Sequence, residues 1–366
     1  MRIAYVAVKG MPIGGGIEKL TEEIGSRLVK KGHQVQVYSS RDYGTVDGKF
    51  RGMEIKTVPA LNTKAFHKLT VCFHAICNVI NGCDVDLVHI HAVGPSVFSI
   101  FTRLKGIPTV VQTHGFEWKR DKWGLVAKCF FKLADFTAVY FPHKTTSVSR
   151  VQKEHYEKKF GKEIHYIPTG VSFARKRKPQ WILEQGLEPG SYILFAARLV
   201  EEKGAHYLIE AFRSIQTDMK LVIAGDAAHA EKYKASLRRK AAGDRRIIFP
   251  GFVTGEPLEE LFSNAYLFCL PSTLEGLPIA LLEAMSYGNC CLASDIPENM
   301  EAMGGHGYLF RSRDAEDLRR VLKNLLEDQQ KAEEKKEMAK KHVIQNYSWD
   351  KVADQMEAFY LSVGDR

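Results

Sequence analysis

Hydrophobic and polar positions in the first half of the chain alternate between the period of a strand and that of a helix. Residues 3–8 form an apolar run, and Ile17, Leu20, Ile24 and Leu28 recur at helical spacing. Further strand patterns, separated by helical stretches, follow at residues 35–38, 86–90, 108–112, 145–148 and 164–168. Strands that alternate with helices are typical of a parallel sheet. The pattern therefore predicts one doubly wound α/β domain over residues 1–173.

The sheet pattern stops and then begins again in the second half. Residues 174–190 are basic, are punctuated by proline and glycine and lack core periodicity, which predicts an interdomain linker. A second α/β domain is predicted over residues 191–345, and the charged helical tail carries Trp349 and Tyr360 at the spacing of packing anchors. The predicted strands are 192–196, 220–224, 247–249, 265–270 and 290–293, and the predicted helices include 205–212 and 278–287.

Charge is unevenly distributed between the two halves. Residues 1–180 hold 29 Lys and Arg against 14 Asp and Glu, whereas residues 181–366 hold 23 against 29. A field of one sign fits an anionic partner such as anionic lipid, a pyrophosphate-bearing substrate or nucleic acid, and it fits a solvated surface equally well. Charge alone identifies no ligand.

Cysteine content and hydropathy argue against several classes of protein. The seven cysteines include no C-x-x-C pair, unlike a secreted disulfide framework or a zinc site. The longest apolar stretch, around residues 71–80, is interrupted by His74 and Asn78 and is too short to span a membrane. The apolar run near Met1 is too brief for a signal peptide. We therefore expect a protein of the reducing cytoplasm.

Two carboxylates accompany a predicted helix start within residues 271–288. Glu275 precedes the helix, Glu283 lies inside it, and Gly276 and Pro278 mark its beginning. The N–H groups at a helix N-terminus bind anions, so a diphosphate can lie there while the carboxylates accept hydrogen bonds from sugar and ribose hydroxyls. The alternative is a capping acid together with a solvated charge.

Two cations flank a strand-to-helix turn within residues 193–212. Arg198 and Lys203 follow an apolar strand and precede an amphipathic helix. Ligands of open parallel sheets bind beyond the carboxyl ends of the strands, where a pyrophosphate leaving group needs its charge offset. Considered alone, this motif favours a pair of solvated surface cations.

Together these motifs resemble family 4 of the glycosyltransferases, which are retaining enzymes of the GT-B fold. The similarity runs over nearly the whole chain, and the segment 114–123 also resembles bacterial enzymes that build surface polysaccharide, some of them rhamnosyltransferases. The resemblance implies two Rossmann-like domains facing a cleft, with residues 346–366 returning as a helix to the first domain. The matching segments are E-x7-E in EGLPIALLEAM, RLVEEKG, GGGIEKL, VQTHGFEWKR, IPTGV, PGFV and YSWDKVADQ.

The resemblance also implies roles for individual residues. Arg198 and Lys203 would bind the donor diphosphate, Glu283 the ribose hydroxyls and Glu275 the transferred sugar. His114 would lie beside the anomeric centre. Donor-binding roles are further implied for main-chain groups of Gly276 and Leu277, for Phe252 and Val253 at the base, and for Gly15 and Gly16 in the first domain. The departing diphosphate would accept the acceptor proton, so the enzyme would need no metal and no cofactor.

Other motifs are interpreted as structural. Asp84 and Asp86 imitate a metal-binding D-x-D motif, but they lead into a strand and fit strand-entry residues better. His89 and His91 share one strand face without further ligands at matching spacing, which favours packed histidines. The glycines at 14–16 lack the third glycine of a dinucleotide-binding motif.

Residues 119–132 interleave lysine and arginine with aromatic side chains. This composition suits an anionic membrane surface, while an aromatic stripe facing the core is the favoured interpretation. We expect a cytoplasmic protein and leave a transient location at the inner face of the membrane open.

We thus expect a retaining glycosyltransferase that moves a sugar from a nucleotide-diphosphate sugar to a glycan or lipid-linked acceptor of surface polysaccharide. Ala197, where glycine is common, and the unusual segment 225–230 leave the base and the sugar undetermined. A sugar-nucleotide epimerase of similar fold and an inactive nucleotide-sugar-binding protein remain alternatives. Nucleic-acid binding rests on charge alone, and we expect none.

Overall fold

The computed structural model describes the chain except for residues 12–14, 44, 46, 62, 64–65, 83, 121–122, 228–229 and 365–366. The chain divides into two units. Unit 1 comprises Met1–Gly170 and Trp349–Arg366, and unit 2 comprises Val171–Ser348. The sequence-based boundaries at 173 and 345 lie within three residues of these divisions, and the C-terminal segment of unit 1 begins at Trp349.

An eight-stranded sheet forms the centre of unit 1. Its strands, β1 to β8 in chain order, are Arg2–Val6, Gln34–Ser40, Gly48–Phe50, Met53–Val58, Leu87–His91, Thr109–Thr113, Lys144–Ser147 and His165–Tyr166. They lie in the order β3-β4-β2-β1-β5-β6-β7-β8, and every pairing is parallel except that of β3 with β4. The strand order reverses between β1 and β5, which is where ligands bind in open α/β sheets.

A six-stranded, wholly parallel sheet forms the centre of unit 2. Its strands, β9 to β14, are Tyr192–Ala196, Lys220–Ala224, Ile247–Gly251, Leu267–Leu270, Cys290–Ser294 and Tyr308–Phe310. Their order is β11-β10-β9-β12-β13-β14, so the reversal falls between β9 and β12. Two Rossmann-type sheets, one wholly parallel and the other parallel in every pairing but one, confirm the predicted α/β fold class.

Helices connect the strands of both sheets. In chain order, α1 to α15 are Gly16–Lys30, His67–Gly82, Ser99–Leu104, Leu125–Tyr140, Arg150–Phe160, Trp181–Glu184, Ala205–Arg213, Glu231–Ala241, Glu256–Asn264, Ile279–Ser286, Pro297–Met303, Ala315–Glu327, Gln329–Glu334, Lys336–Tyr347 and Trp349–Gly364.

The C-terminal helix α15 packs on α1 within unit 1. Trp349 and Tyr360 are 2% and 1% exposed, which confirms the packing anchors expected from the sequence. They join the core between α1 and the sheet, while α2 and α4 cover the opposite face. Arg27 of α1 and Lys31, the C-cap of this helix, also pair with carboxylates of α15 at 2.6 Å.

The predicted linker at residues 174–190 is in part packed structure. It contains α6, and its side chains Ile182 and Leu187 are buried. The Glu260 carboxylate accepts hydrogen bonds from the backbone N–H groups of Gln180 and Ile182, at 2.9 and 3.2 Å. Two isolated apolar contacts and a backbone-bound carboxylate give no periodic signal, so the sequence pattern missed them.

Candidate functional site

Residues from both sides of the strand reversal meet at the carboxyl edge of the sheet in unit 2. Arg198 and Lys203 follow β9, and Glu275 follows β12. The Lys203 ammonium Nζ lies 2.6 Å from Glu275 Oε1 and 2.8 Å from Oε2, with the two side chains 16% and 6% exposed. The structure therefore brings together two predicted site residues that are 72 positions apart.

Glycine backbones make this close approach possible. Gly204 has a φ of 71°, and a Cβ atom there would lie 1.9 Å from the Pro271 carbonyl oxygen. Gly225 has a φ of 145°, and a Cβ atom there would lie 1.9 Å from the Ala197 carbonyl oxygen. Only glycine combines a positive φ with the lack of a side chain that this spacing requires. The two glycines therefore allow the loops after β9, β10 and β12 to pack directly against one another.

Buried hydrogen bonds to Ser294 and Asn299 anchor the loop that carries Glu275. The hydroxyl of Ser294 donates to the Ser272 carbonyl, and the Asn299 amide donates to Ser294 and to Ser272. Gly276 and Leu277 in the same loop are buried. These bonds fix Ser272, three residues before Glu275, at the start of the loop.

The helix α10 begins directly after this loop, with Pro278 at the N-cap. Glu275 thus precedes the helix and Glu283 lies within it, half-buried, in the arrangement expected from the sequence. Helix N-termini attract anions through their N–H groups and dipole. The N-terminus of α10 and the cations after β9 are two sources of positive potential at one sheet edge.

The remaining predicted residues of unit 2 are more exposed. Arg198 is 58% exposed in its side chain, with its guanidinium Nη2 3.7 Å from Glu202 Oε1. Phe252 is 68% exposed and Val253 half-buried on the loop after β11. An exposed arginine after β9 and an exposed aromatic ring after β11 are accessible to a ligand.

A cavity of about 360 Å³ opens at the carboxyl ends of β9, β10 and β11. This volume is within the range of small-molecule sites. The Asp226 carboxylate accepts a 2.7 Å hydrogen bond from Lys234, and this contact, with a backbone N–H, lowers the pKa of Asp226. The cavity is lined by Leu199, Gly225, Asp226, Glu231, Lys234, Ala235, Arg238, Phe249 and Gly251.

Sequence reasoning missed the α8 side of this cavity. Lys234 and Arg238 lie on a polar helix whose pattern reads as solvated surface, and only the fold brings it over Gly225. The signal that could have found the cavity is the Gly225-Asp226 turn directly after β10.

Unit 1 carries its predicted residues at the carboxyl edge of its own sheet. Gly15 is the N-cap of α1, Gly16 begins this helix, and His114 follows β6. Gly14 lies outside the described residues. His114 Nε2 lies 3.3 Å from His91 Nδ1, and burial, with a contribution from the Lys68 charge, lowers the pKa of His114 to about 3. The imidazole is therefore neutral at physiological pH.

The motifs interpreted as structural lie in structural positions. The backbone N–H of Arg2 donates to Asp86 at 2.7 Å, and the Arg2 guanidinium pairs with Asp84 and Asp86 at the entry to β5. His89 and His91 are fully buried, and burial lowers the pKa of both. No group of three or more His, Cys, Asp or Glu side chains suited to a metal ion occurs among the described residues.

The basic and aromatic segment 119–132 has two faces. Phe130 and Phe131 of α4 pack against the core of unit 1, as expected from the favoured interpretation. Leu125, Val126 and Leu133 of the same helix are 62–86% exposed. Lys122 lies outside the described residues. None of the helices in the described part of the chain is both long and apolar enough to cross a membrane.

Comparison with protein families matches both halves of the chain. The model described as Glycosyltransferase Family 4 matches residues 14–175, and the model described as Glycosyl transferases group 1 matches residues 179–342.

Curated relatives are similar over part of their length. An α-1,3-galactosyltransferase of Escherichia coli that uses UDP-Gal and GlcNAc-diphosphoundecaprenol is 29% identical over 58% of this chain and 59% of its own. A putative teichuronic acid biosynthesis glycosyltransferase of Bacillus subtilis is 28% identical over 62% and 57%. An uncharacterized glycosyltransferase of Methanocaldococcus jannaschii is 31% identical over 46% and 44%. The chain thus matches about half the length of these relatives.

Solved structures share the fold. Sucrose-phosphate synthase from Thermosynechococcus elongatus has a TM-score of 0.84 at 19% identity, covering 99% of this chain and 98% of its own. Anabaena HepE, solved in complex with UDP and glucose, has a TM-score of 0.80 at 17% identity, covering 99% and 100%. WaaG, described as a glycosyltransferase involved in lipopolysaccharide biosynthesis, has a TM-score of 0.76 at 19% identity, covering 96% and 98%.

Proposed function

We propose, since the chain belongs to family 4 of the glycosyltransferases, that it transfers a sugar from a nucleotide-diphosphate sugar to an acceptor with retention of configuration. The observation that carries the proposal is the Lys203–Glu275 ion pair at the strand reversal of unit 2, beside the N-terminus of α10. An enclosed cation and anion in this position can meet a phosphate and a sugar hydroxyl at neighbouring points.

In this proposal the negative charge of the leaving diphosphate is offset by protein groups. Arg198 and Lys203 bind the diphosphate, assisted by the main-chain N–H groups of Gly276 and Leu277 ahead of α10. Such fixed positive potential is most effective where charge develops in the transition state. The departing oxygen takes the proton of the acceptor hydroxyl, so the proposed reaction needs no metal ion and no cofactor.

Specificity in this proposal comes from the surrounding groups. Glu275 binds hydroxyls of the transferred sugar, and Glu283 binds the ribose. The nucleoside occupies the cavity next to Asp226, with Phe252 and Val253 beside its nucleobase. The cavity is large enough for a nucleoside and offers both an acceptor and cations for its polar atoms.

Unit 1 contributes His114, Gly15 and Gly16 to sugar and donor binding in this proposal. The neutral imidazole of His114 can exchange hydrogen bonds with hydroxyl groups without adding charge. The resemblance of segment 114–123 favours a rhamnosyl donor among the candidates, and the relatives of surface-polysaccharide synthesis favour a glycan or lipid-linked acceptor.

We further propose a cytoplasmic location with transient contact to anionic lipid through unit 1. Unit 1 holds 27 Lys and Arg against 18 Asp and Glu, whereas unit 2 holds 25 of each. The exposed Leu133 of α4 adjoins Lys132 in the sequence, and Lys132 is itself exposed. Apolar side chains with flanking cations are typical of helices that lie in the interface of an anionic bilayer.

The test of the main proposal is nucleoside diphosphate release with purified protein, a donor panel and undecaprenyl-diphosphate-linked glycan acceptors, in buffer with and without EDTA. We expect acceptor-dependent release, an α-linked product from an α-linked donor, and no effect of EDTA. The Glu275→Gln variant should lose transfer, whereas Glu210→Gln, an exposed carboxylate on α7, should retain it. Acceptor-independent turnover with an altered donor sugar would favour the epimerase, and donor binding without turnover would favour a binding protein.

Membrane contact is tested separately by flotation with vesicles of phosphatidylglycerol or phosphatidylcholine. We expect binding to the anionic vesicles, lowered at least fivefold by Leu133→Glu on α4 and unchanged by Leu361→Glu, an exposed leucine on α15. Equal binding of the two variants would contradict this part of the proposal.

A further inference from the structure

A chain of three polar side chains connects the interior of unit 1 with His114. The Thr21 hydroxyl on α1 lies 3.3 Å from His91 Nε2, and His91 Nδ1 lies 3.3 Å from His114 Nε2. Thr21 and His91 are fully buried, while His114 is half-buried. The sequence interpretation of His91 as a packed histidine is therefore incomplete, because one ring nitrogen faces a predicted site residue.

The rings in this chain have little freedom to turn. Tyr5 stacks on His91 with ring centroids 5.4 Å apart and an interplanar angle of 10°. His89 also lies against the His91 ring, with centroids 4.3 Å apart. A fully buried ring held against two aromatic neighbours has little room to turn, and each of the two His91 nitrogens has one hydrogen-bond partner.

The number of available donors and acceptors fixes which group donates in each of the two hydrogen bonds between Thr21, His91 and His114. The Thr21 hydroxyl makes no other hydrogen bond with the described residues, so its hydrogen has a partner only if it donates to His91 Nε2. His91 must then carry its proton on Nδ1 and donate to His114 Nε2. In the reverse direction the buried hydroxyl hydrogen would be left unpaired, which is unfavourable.

We propose that Thr21 and His91 are positioning residues that hold His114 in the tautomer protonated on Nδ1. No described residue bonds Nδ1 of His114, so this nitrogen remains as a hydrogen-bond donor for a ligand. A donor of fixed direction recognises an oxygen acceptor, such as a sugar hydroxyl or a carbonyl oxygen. The link to sugar transfer rests on the function proposed above, whereas the tautomer itself does not.

Charge at the three side chains is consistent with this assignment. Burial lowers the pKa of both His91 and His114, so both rings are neutral and each has one protonated nitrogen. When both rings are neutral, the hydrogen bond between them requires an N–H on one ring and an unprotonated nitrogen on the other, so the tautomer of one ring sets that of the next. A doubly protonated ring has no unprotonated nitrogen and cannot transmit this constraint.

The experiment is long-range ¹H–¹⁵N NMR of ¹⁵N-histidine-labelled full-length protein, with His114 assigned from the spectrum of His114→Gln. We expect the protonated nitrogen of His114 to be Nδ1 in the unmodified protein. Thr21→Val removes the hydroxyl at constant shape and should shift His114 towards the Nε2–H tautomer, whereas Thr21→Ser should keep it. The control Ser26→Ala removes another buried hydroxyl of α1, one that bonds the Glu23 carbonyl and not His91, and it should leave the tautomer of His114 unchanged.

The same variants connect the tautomer with turnover. Thr21→Val should lower kcat about tenfold with little change of KM for the donor, because one oriented hydrogen bond is altered, and Thr21→Ser should restore it. An Nε2–H tautomer in the unmodified protein, or an unchanged tautomer in Thr21→Val, would overturn the proposal. If the tautomer shifts as expected but no donor is turned over by any variant, the proposed function fails and the positioning chain stands.

Discussion

A double-mutant cycle on Lys203 and Glu275 separates their contribution to stability from their contribution to chemistry. The Lys203→Met variant leaves the Glu275 carboxylate, 6% exposed, without its cation, and Glu275→Leu leaves the ammonium without its anion. Removing one partner of a buried pair costs about 3–5 kcal/mol. Because the Lys203 side chain is still 16% exposed, we expect about 3 kcal/mol for each single variant.

The double variant Lys203→Met/Glu275→Leu should behave differently. Replacing a buried ion pair with apolar side chains of similar volume is often neutral or stabilising. We therefore expect the double variant to lie within about 1 kcal/mol of the unmodified protein, which gives a strong coupling between the two positions. Activity should follow the opposite pattern, with all three variants inactive, since the donor needs both charges.

The assay is thermal unfolding followed by calorimetry, together with nucleoside diphosphate release. For a unit of this size, about 3 kcal/mol corresponds to a melting temperature lowered by roughly 6–12 °C. Additive losses of stability in the double variant, or single variants that lose less than about 1 kcal/mol, would refute the claim that the pair is a coupled buried unit. Transfer activity in the double variant would refute its proposed catalytic role.

Two further predictions concern stability. Gly204→Ala should destabilise unit 2 severely, because its Cβ would lie 1.9 Å from the Pro271 carbonyl oxygen, whereas Gly243→Ala, with a similar φ of 84° and open space, should cost only about 1 kcal/mol in urea unfolding. Equal losses would contradict the close approach. Burial holds the pKa of His89 at about 3, below its value near 6.5 in the unfolded chain, so stability should fall as the pH drops below 6.5. His89 alone should account for about 2 kcal/mol between pH 7 and pH 5. The slope should decrease in His89→Asn, and an unchanged slope would contradict the assignment.

Much of the fold follows from local patterns. The buried runs of both parallel sheets have a clear hydrophobic signature, and their predicted bounds fall within a few residues of the strands observed. The hairpin of β3 and β4 was missed because β3 is three residues long and its turn depends on backbone conformation: Arg51 and Gly52 have φ angles of 48° and 83°. Positive φ at an arginine has no sequence signature.

The sequence names candidate site residues one by one but does not give their arrangement. The resemblance named Lys203 and Glu275 singly, whereas their bidentate contact depends on Gly204 packing against Pro271, a tertiary feature. Likewise His91 was interpreted correctly as buried, but its bond to His114 joins two strands that are adjacent only in the folded sheet. Periodicity reports which face a residue occupies and carries no information about which nitrogen meets which partner.

The central claim is that the carboxyl edge of unit 2 holds a nucleotide-diphosphate sugar. The most direct measurement is thermal stabilisation of the unmodified protein, Glu283→Ala and Glu210→Ala by UDP-, GDP- and dTDP-sugars, with dTDP-rhamnose among them. A ligand at one hundred times its Kd stabilises the folded state by about 2.7 kcal/mol. We predict a clear rise in Tm with the sugars of one nucleotide, retained in Glu210→Ala and lost in Glu283→Ala. No rise with any nucleotide sugar, or an equal rise in Glu283→Ala, would contradict the account.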